Sequence, residues 1–143
     1  MPDALASPNK LPANFFNANS PRGVVFSTPG SGFQVSANAA APPIEFGNFN
    51  ATYPSLFQTF SAQRLFSAVG SNIVDVNFFN AGTALAGSTS AFAFIFTDVD
   101  LADSTTIEFF SGADSLGLYS APVANNGLSR SGPLLRSKPR RYL

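Results

Sequence analysis

At 143 residues the chain allows one domain with a real core, by the prior of roughly 150 residues per domain. It contains no His and no Cys, which excludes a Ser-His-Asp triad, a cysteine nucleophile, a conventional zinc site and a disulfide framework. The formal net charge is zero, but all eight acidic residues precede residue 115, so three basic residues against eight acidic ones leave residues 1–129 at −5. Five of the eight basic residues (Arg130, Arg136, Lys138, Arg140 and Arg141) fall in the last fourteen positions.

Apolar residues make up 45% of the chain and include 16 Phe, whereas charged residues are only 11%, against a usual level of about 25%. Phe, Val, Thr and Ile suit strands; Gly, Pro, Asn and Ser suit turns; the Lys, Glu and Arg of solvated helices are scarce. This composition predicts an all-β protein.

Residues 1–22 hold four prolines and read as an irregular N-terminal arm, with Phe15 and Phe16 as anchors onto a core. No apolar leader is seen in MPDALASPNKLP, and no window approaches the roughly 18 apolar residues of a membrane helix. Gly23 to Thr28 is a strand candidate, and Pro29-Gly30-Ser31-Gly32 has turn chemistry. Phe33 to Ala37 alternates as a half-buried strand does, so the two strands with their turn read as a hairpin.

Further short strands are expected over Ile44 to Phe49 and Tyr53 to Phe60, broken by Pro54. Ser61 to Val69 is readable as a strand or a short helical turn. In Asn72 to Asn80, Val74, Val76 and Phe78 alternate against Asp75 and Asn77. Ala81 to Ser90 is small and polar, a loop long enough to cross the end of a sandwich.

Ser90 to Ser120 reads as three consecutive strands joined by two tight polar connections. Phe92, Phe94 and Phe96 share one face of the first, and Ala91, Ala93 and Ile95 the other, the pattern of a mid-sheet strand. The second, Thr105 to Phe110, sets Ile107 and Phe109 against Thr106, Glu108 and Phe110. The third, Ser115 to Tyr119, brings Leu116 and Leu118 together. Asn125-Asn126-Gly127 reads as a turn. Short strands with turn signals every 8–12 residues predict a sandwich or barrel.

The tail, residues 129–143, breaks the pattern with concentrated charge and two prolines. It reads either as a basic segment that contacts an acidic surface, nucleic acid or lipid, or as a C-terminus that never belonged to the fold, such as the product of a shifted frame or truncated gene. The abrupt change of composition favours the second.

Carboxylates are the chemistry left. Asp98, Asp100 and Asp103 form the one acidic cluster, and hard oxygens converging at a loop can bind Ca²⁺ with six to eight ligands. The simpler reading is Asp capping a turn through backbone N–H groups. Glu108 with Asp98 or Asp100 across neighbouring strands would supply the carboxylate pair of a glycosidase, although no Trp or Tyr flanks it. Exposed glutamate on a sheet face is the plainer account. Arg22 and Arg64 read as partners for buried or capping carboxylates, and Tyr53 and Tyr119 as core-edge packing or sugar-stacking platforms. Asn50-Ala51-Thr52 matches a glycosylation sequon, meaningful only in a secreted eukaryotic protein.

Several segments resemble a group of bacterial exported proteins found with sorting signals of the PEP-CTERM kind. They are Pro2-Asp3-Ala4, Leu11 to Ser36, Arg64 to Phe79 and Phe96 to Gly117, which cover most of residues 2–128. The likeness lies in phrase order rather than in a catalytic signature. It implies an extracellular or cell-surface β-sandwich, jelly-roll-like, linked to adhesion or carbohydrate contact. The family's export signal and its strands beyond Leu128 have no counterpart here, so the chain reads as a fragment, incomplete at its C-terminus.

The sequence thus predicts an antiparallel β-sandwich over residues 23–128 with no catalytic residues. Its role is structural or adhesive, toward surface polysaccharide or another extracellular protein, with no nucleic acid and no membrane span. Calcium at Asp98, Asp100 and Asp103 marks the alternative, a carbohydrate-binding module, and Glu108 hydrolysis ranks last. No cofactor is otherwise expected.

Overall fold

The computed structural model describes residues 10–36, 45–47, 49–60 and 64–131. The chain is all-β, with antiparallel sheets and, among the described residues, two single-turn helices. It divides into two compact units, Met1–Pro54 with Ser61–Ser88 and Ser55–Phe60 with Thr89–Leu143.

In the first unit, β1 (Lys10–Leu11), α1 (Phe15–Ala18), β2 (Val24–Ser27) and β3 (Gly32–Val35) are followed by α2 (Tyr53–Leu56), where the chain passes toward the second unit, and then by β4 (Phe66–Val69) and β5 (Asp75–Phe78). β1, β3 and β4 form one sheet in the order β1-β3-β4, and β2 pairs with β5 in another. Alternation decides which side chains turn inward. Val24, Phe26, Val74 and Val76 on the second sheet face the cluster that holds Leu11, Phe33, Val35, Phe66 and Ala68 on the first, while Asp75 and Asn77 stay in water. The Phe26 ring lies 5.8 Å from Phe33 and 4.9 Å from Phe66, and Phe33 stacks on Phe66 at 5.2 Å. These rings lock the two layers together.

The hairpin expected over residues 23–37 does not form. β2 and β3 belong to different sheets, and residues 29–31 carry the chain from one to the other. This segment is bound to the end of β4 instead, with Ser31 N–H donating to Val69 O at 2.8 Å. A Cβ at Gly30 would lie 2.2 Å from that same oxygen, so only glycine permits this approach. Thr28 Oγ1 donates to Ile73 O and accepts from Gly30 N–H, which seals the crossover. Placing Phe26 and Phe33 on facing layers buries both rings, which one two-stranded hairpin cannot do alone.

The N-terminal arm is more ordered than expected from Lys10 onward, and residues 1–9 lie outside the described residues. Leu11 pairs with Phe33 and is only 3% exposed. Phe15 and Phe16 pack against the core as anticipated, and Phe16 meets Phe26 edge-on at 5.9 Å. No strand forms over residues 45–47 or 49–60 among the described residues. Thr52 N–H donates to Asn50 Oδ1 at 3.0 Å and Tyr53 N–H to Asn50 O at 3.1 Å, a turn that starts α2 with Pro54 early in it, where its missing N–H costs nothing. The ambiguous stretch over residues 61–69 resolves as β4 from Phe66; residues 61–63 lie outside the described residues.

The second unit contains β6 (Phe94–Val99), β7 (Thr106–Ser111), β8 (Asp114–Ser120) and β9 (Ala124–Ser131). β6 pairs with β9, and β7 with β8. The β7–β8 connection is a two-residue turn whose first position, Gly112, has φ +63°, the left-handed backbone such hairpins need. The other tight connection, after Val99, does not make a hairpin, because β6 takes β9 as its partner. Phe92, Phe94 and Phe96 do share a face, with centroids 4.6 and 5.7 Å apart. Their opposite face is not buried: Ala91, Ala93 and Ile95 are exposed, so β6 is not the mid-sheet strand that its sequence suggested. The Asn-Asn-Gly segment lies inside β9 rather than at a turn. β9 also runs three residues past Leu128, so Ser129 to Ser131 are strand; residues 132–143 lie outside the described residues.

The buried rings set the stability of the first unit. Phe33→Ala is expected to lower its unfolding free energy by about 3–5 kcal/mol in urea titration. Ile73→Ala, at a position 55% exposed, should stay within about 0.5 kcal/mol of the parent.

Candidate functional site

The acidic cluster sits where β6 ends. Thr97 pairs with Leu128 and Val99 with Ala124, so Asp98 alone stands against Asn125, Asn126 and Gly127. This is a bulge with extra residues on β9. Both strands bend there through left-handed backbone, Asp98 at φ +59° and Asn126 at φ +51°. Asx residues tolerate this conformation better than other side chains. Asp98 uses its carboxylate locally: Oδ1 accepts from Asn126 N–H at 2.9 Å.

Gln58 closes the same place from the segment that follows α2. Its backbone N–H donates to Thr97 Oγ1 at 2.7 Å, and its Nε2 donates to Asn126 O at 2.8 Å. Near the other end of the ladder, the Arg130 guanidinium lies 5.9 Å from the centre of the Phe60 ring. Arg130 therefore belongs to a folded strand, opposite Ile95, and not to a tail.

Asp98 and Asp100 come together; Asp103 goes elsewhere. The Asp98 charge, then a smaller loss of water, then a hydrogen bond with Asp98 hold the Asp100 carboxyl above its ordinary value of 3.8. Asp103, at φ +61°, accepts from Ser120 Oγ at 2.5 Å and so ties the connection over residues 100–105 to the end of β8. Ala121 N–H, donating to Thr105 O at 2.8 Å, adds a second tie. No group of three potential metal-ligating side chains converges among the described residues.

Glu108 lies exposed on β7 and accepts from Ser115 Oγ at 2.7 Å across the hairpin. Its proposed pairing with Asp98 or Asp100 across adjacent strands does not occur, because β7 and β6 are in different sheets. Tyr119 packs edge-on to Phe109 at 5.7 Å, as a core-edge ring does. Tyr53 is half-buried in α2, Arg64 is buried and Arg22 exposed. Asn50 holds Thr52 by two hydrogen bonds in an exposed turn.

The hairpin also bulges, since Phe109 pairs with Gly117 but Phe110 with Ser115, leaving Leu116 without an opposite residue. Ile107 and Phe109 turn inward. The outer face presents Glu108 and Phe110 beside Leu116 and Leu118, with Phe110 57%, Leu116 49% and Leu118 64% exposed. The two leucines that the sequence groups on one face of β8 are therefore on its exposed side. Sequence reading gave Gln58 no role, and nothing in the local pattern around Gln58 marks one.

The Asp98–Asp100 repulsion predicts a pH signature. A carboxyl with a raised value in the folded state holds its proton more tightly there than in the unfolded chain. That favours the native state below the ordinary value, and the advantage is lost as pH rises through the raised one. Asp100→Asn should therefore raise the thermal midpoint at neutral pH and leave it nearly unchanged at pH well below the carboxylate range. Melts followed by circular dichroism at both pH values check this; equal shifts at both would assign the effect to something other than the charge pair. No protein-family model matches the chain, and neither a curated protein nor a solved structure matches it.

Proposed function

We propose that the chain is a non-enzymatic extracellular or cell-surface β-domain with a structural or adhesive role, whose contacts are made through the outer face of β7 and β8. The exposed apolar group Phe110, Leu116 and Leu118 carries this reading. Apolar side chains crowded onto one open sheet face mark contact surfaces. Glu108 and Ser115, hydrogen-bonded to each other beside them, offer the polar complement that orients a hydroxylated ligand. The C–H face of a sugar ring suits such a surface, so surface polysaccharide is the favoured partner. The resemblance to exported proteins of the PEP-CTERM kind supports the same compartment. No helix among the described residues is long and apolar enough to cross a membrane.

One observation favours a second reading, the calcium-assisted carbohydrate-binding module: the Asp98–Asp100 pair carries a mutual repulsion that a divalent cation would relieve. Calorimetric titration with millimolar Ca²⁺ decides between them. Heat and an upward thermal shift are expected under the second reading, and neither under the first.

The full chain displayed against arrays of surface polysaccharides and extracellular proteins tests the principal reading. Binding is expected, and Phe110→Ser with Leu118→Asp should weaken it at least about tenfold, a loss of roughly 1.4 kcal/mol. Binding that survives both changes, or none at all, overturns the assignment to this face. Turnover of a glycoside that Glu108→Gln abolishes would overturn the non-enzymatic reading.

A further inference from the structure

We propose that Asn126 is a site of spontaneous covalent modification, converted by water in the folded protein to aspartate and isoaspartate through a succinimide with Gly127. Asn126-Gly127 is the only Asn–Gly step in the sequence. Glycine has no Cβ, so its backbone nitrogen is open to a carbonyl carbon that other residues screen. Sequence alone would leave the step suppressed if it lay in a regular ladder. The bulge removes that suppression. Asn125, Asn126 and Gly127 have no Cα partners in the β6–β9 register, and the Asn126 side chain is exposed.

The contacts at Asn126 involve its main chain alone: its N–H donates to Asp98 Oδ1 and its carbonyl accepts from Gln58 Nε2. Its carboxamide is held by no described residue. The Gln58 bond draws electron density from the peptide group that joins residues 126 and 127, which makes the Gly127 N–H more acidic. That proton must leave for the nitrogen to attack.

In the first step the Gly127 nitrogen forms a bond to Asn126 Cγ. The Cγ–Nδ2 bond breaks, and ammonia departs with the proton that the Gly127 nitrogen gave up. In the second step water opens the ring. Addition at Cγ yields aspartate with the backbone unchanged; addition at the main-chain carbonyl yields isoaspartate, with the chain now running through Cγ. Either product puts a new negative charge on the residue whose main-chain N–H the Asp98 carboxylate holds. The isoaspartate also adds one carbon to the chain at residue 126 and turns the carbonyl that Gln58 holds into a free carboxylate outside the main chain. The protein therefore carries a clock on the β6–β9 bulge, driven by water and base alone.

The test incubates the full native chain at mildly alkaline pH and maps peptides by mass spectrometry, with an isoaspartyl methyltransferase reaction to identify the isomer. Asn126 is expected to convert at least about tenfold faster than its neighbour Asn125, whose following residue carries a Cβ. Gly127→Ala is the decisive variant. A Cβ there meets nothing closer than Asn125 O at 3.6 Å, so the fold accommodates it. It should slow conversion at Asn126 to the Asn125 level, while the dichroism spectrum and melting midpoint confirm an unchanged fold. Conversion at equal rates for the two asparagines, an unchanged rate in Gly127→Ala, or conversion seen only in denaturant would overturn the proposal.

Discussion

The first unit depends on three phenylalanine rings from two different sheets. Phe26 on β2 fills the space above Phe33 and Phe66, which are stacked on β3 and β4. A two-stranded ribbon is marginal in water, and a three-stranded sheet needs a partner for its apolar face. Neither layer here is self-sufficient, and the ring contacts join them. The crossover at residues 29–31 follows from this requirement. Local turn chemistry would have accepted a hairpin, but the burial of Phe26 against Phe33 outweighs it. Aromatic pairs add about 0.5–1.5 kcal/mol each beyond the area they bury.

The second unit is organised around polar side chains instead. Gln58, Thr97, Asp98 and Asn126 knit a strained bulge by hydrogen bonds, and Asp103 with Ser120 fastens the loop beyond it. Left-handed backbone at a non-glycine residue costs energy and persists where its surroundings over-determine it. The Asp98 carboxylate on Asn126 N–H is such a determinant, because it satisfies a donor that the broken ladder leaves without a strand partner. The same constraint explains why Asp103 leaves the cluster: its oxygen is committed to Ser120.

Much of the fold was legible in the chain, and the misreadings share a cause. Strand patterning located β2, β3, β5, β7 and β8 and separated the two faces of β5 and β7, because side-chain direction in a strand is a local property. Pairing is not. The Phe26–Phe33 contact, the β6–β9 partnership and the separation of β7 from β6 depend on residues distant in sequence. Asn125-Asn126-Gly127 carries the chemistry of a turn and does bend the chain, but in the middle of a strand, since left-handed backbone serves a bulge as well as a hairpin. Of the acidic cluster, the neighbours Asp98 and Asp100 were readable as a pair. Asp103 was not, because its partner lies seventeen residues away on another strand. Leu116 and Leu118 were readable as one stripe but not as an exposed one, because an apolar stripe looks the same whether it faces a core or water.

The bulge divides the β6–β9 ladder unevenly, with four consecutive pairs from Phe94–Ser131 to Thr97–Leu128 on one side and Val99–Ala124 on the other. In an antiparallel pair a pull on the outer end of one strand against its partner opens rungs one after another, like a zipper. Tension arriving through the chain beyond Ser131 would meet those four rungs first and then reach the gap, where Asp98, Asn126 and Gln58 hold in place of a rung. Slack is stored there, in the extra residues of β9, and can be released as length before the last rung is loaded. Under load, that is a shock absorber built from one irregularity in a sheet.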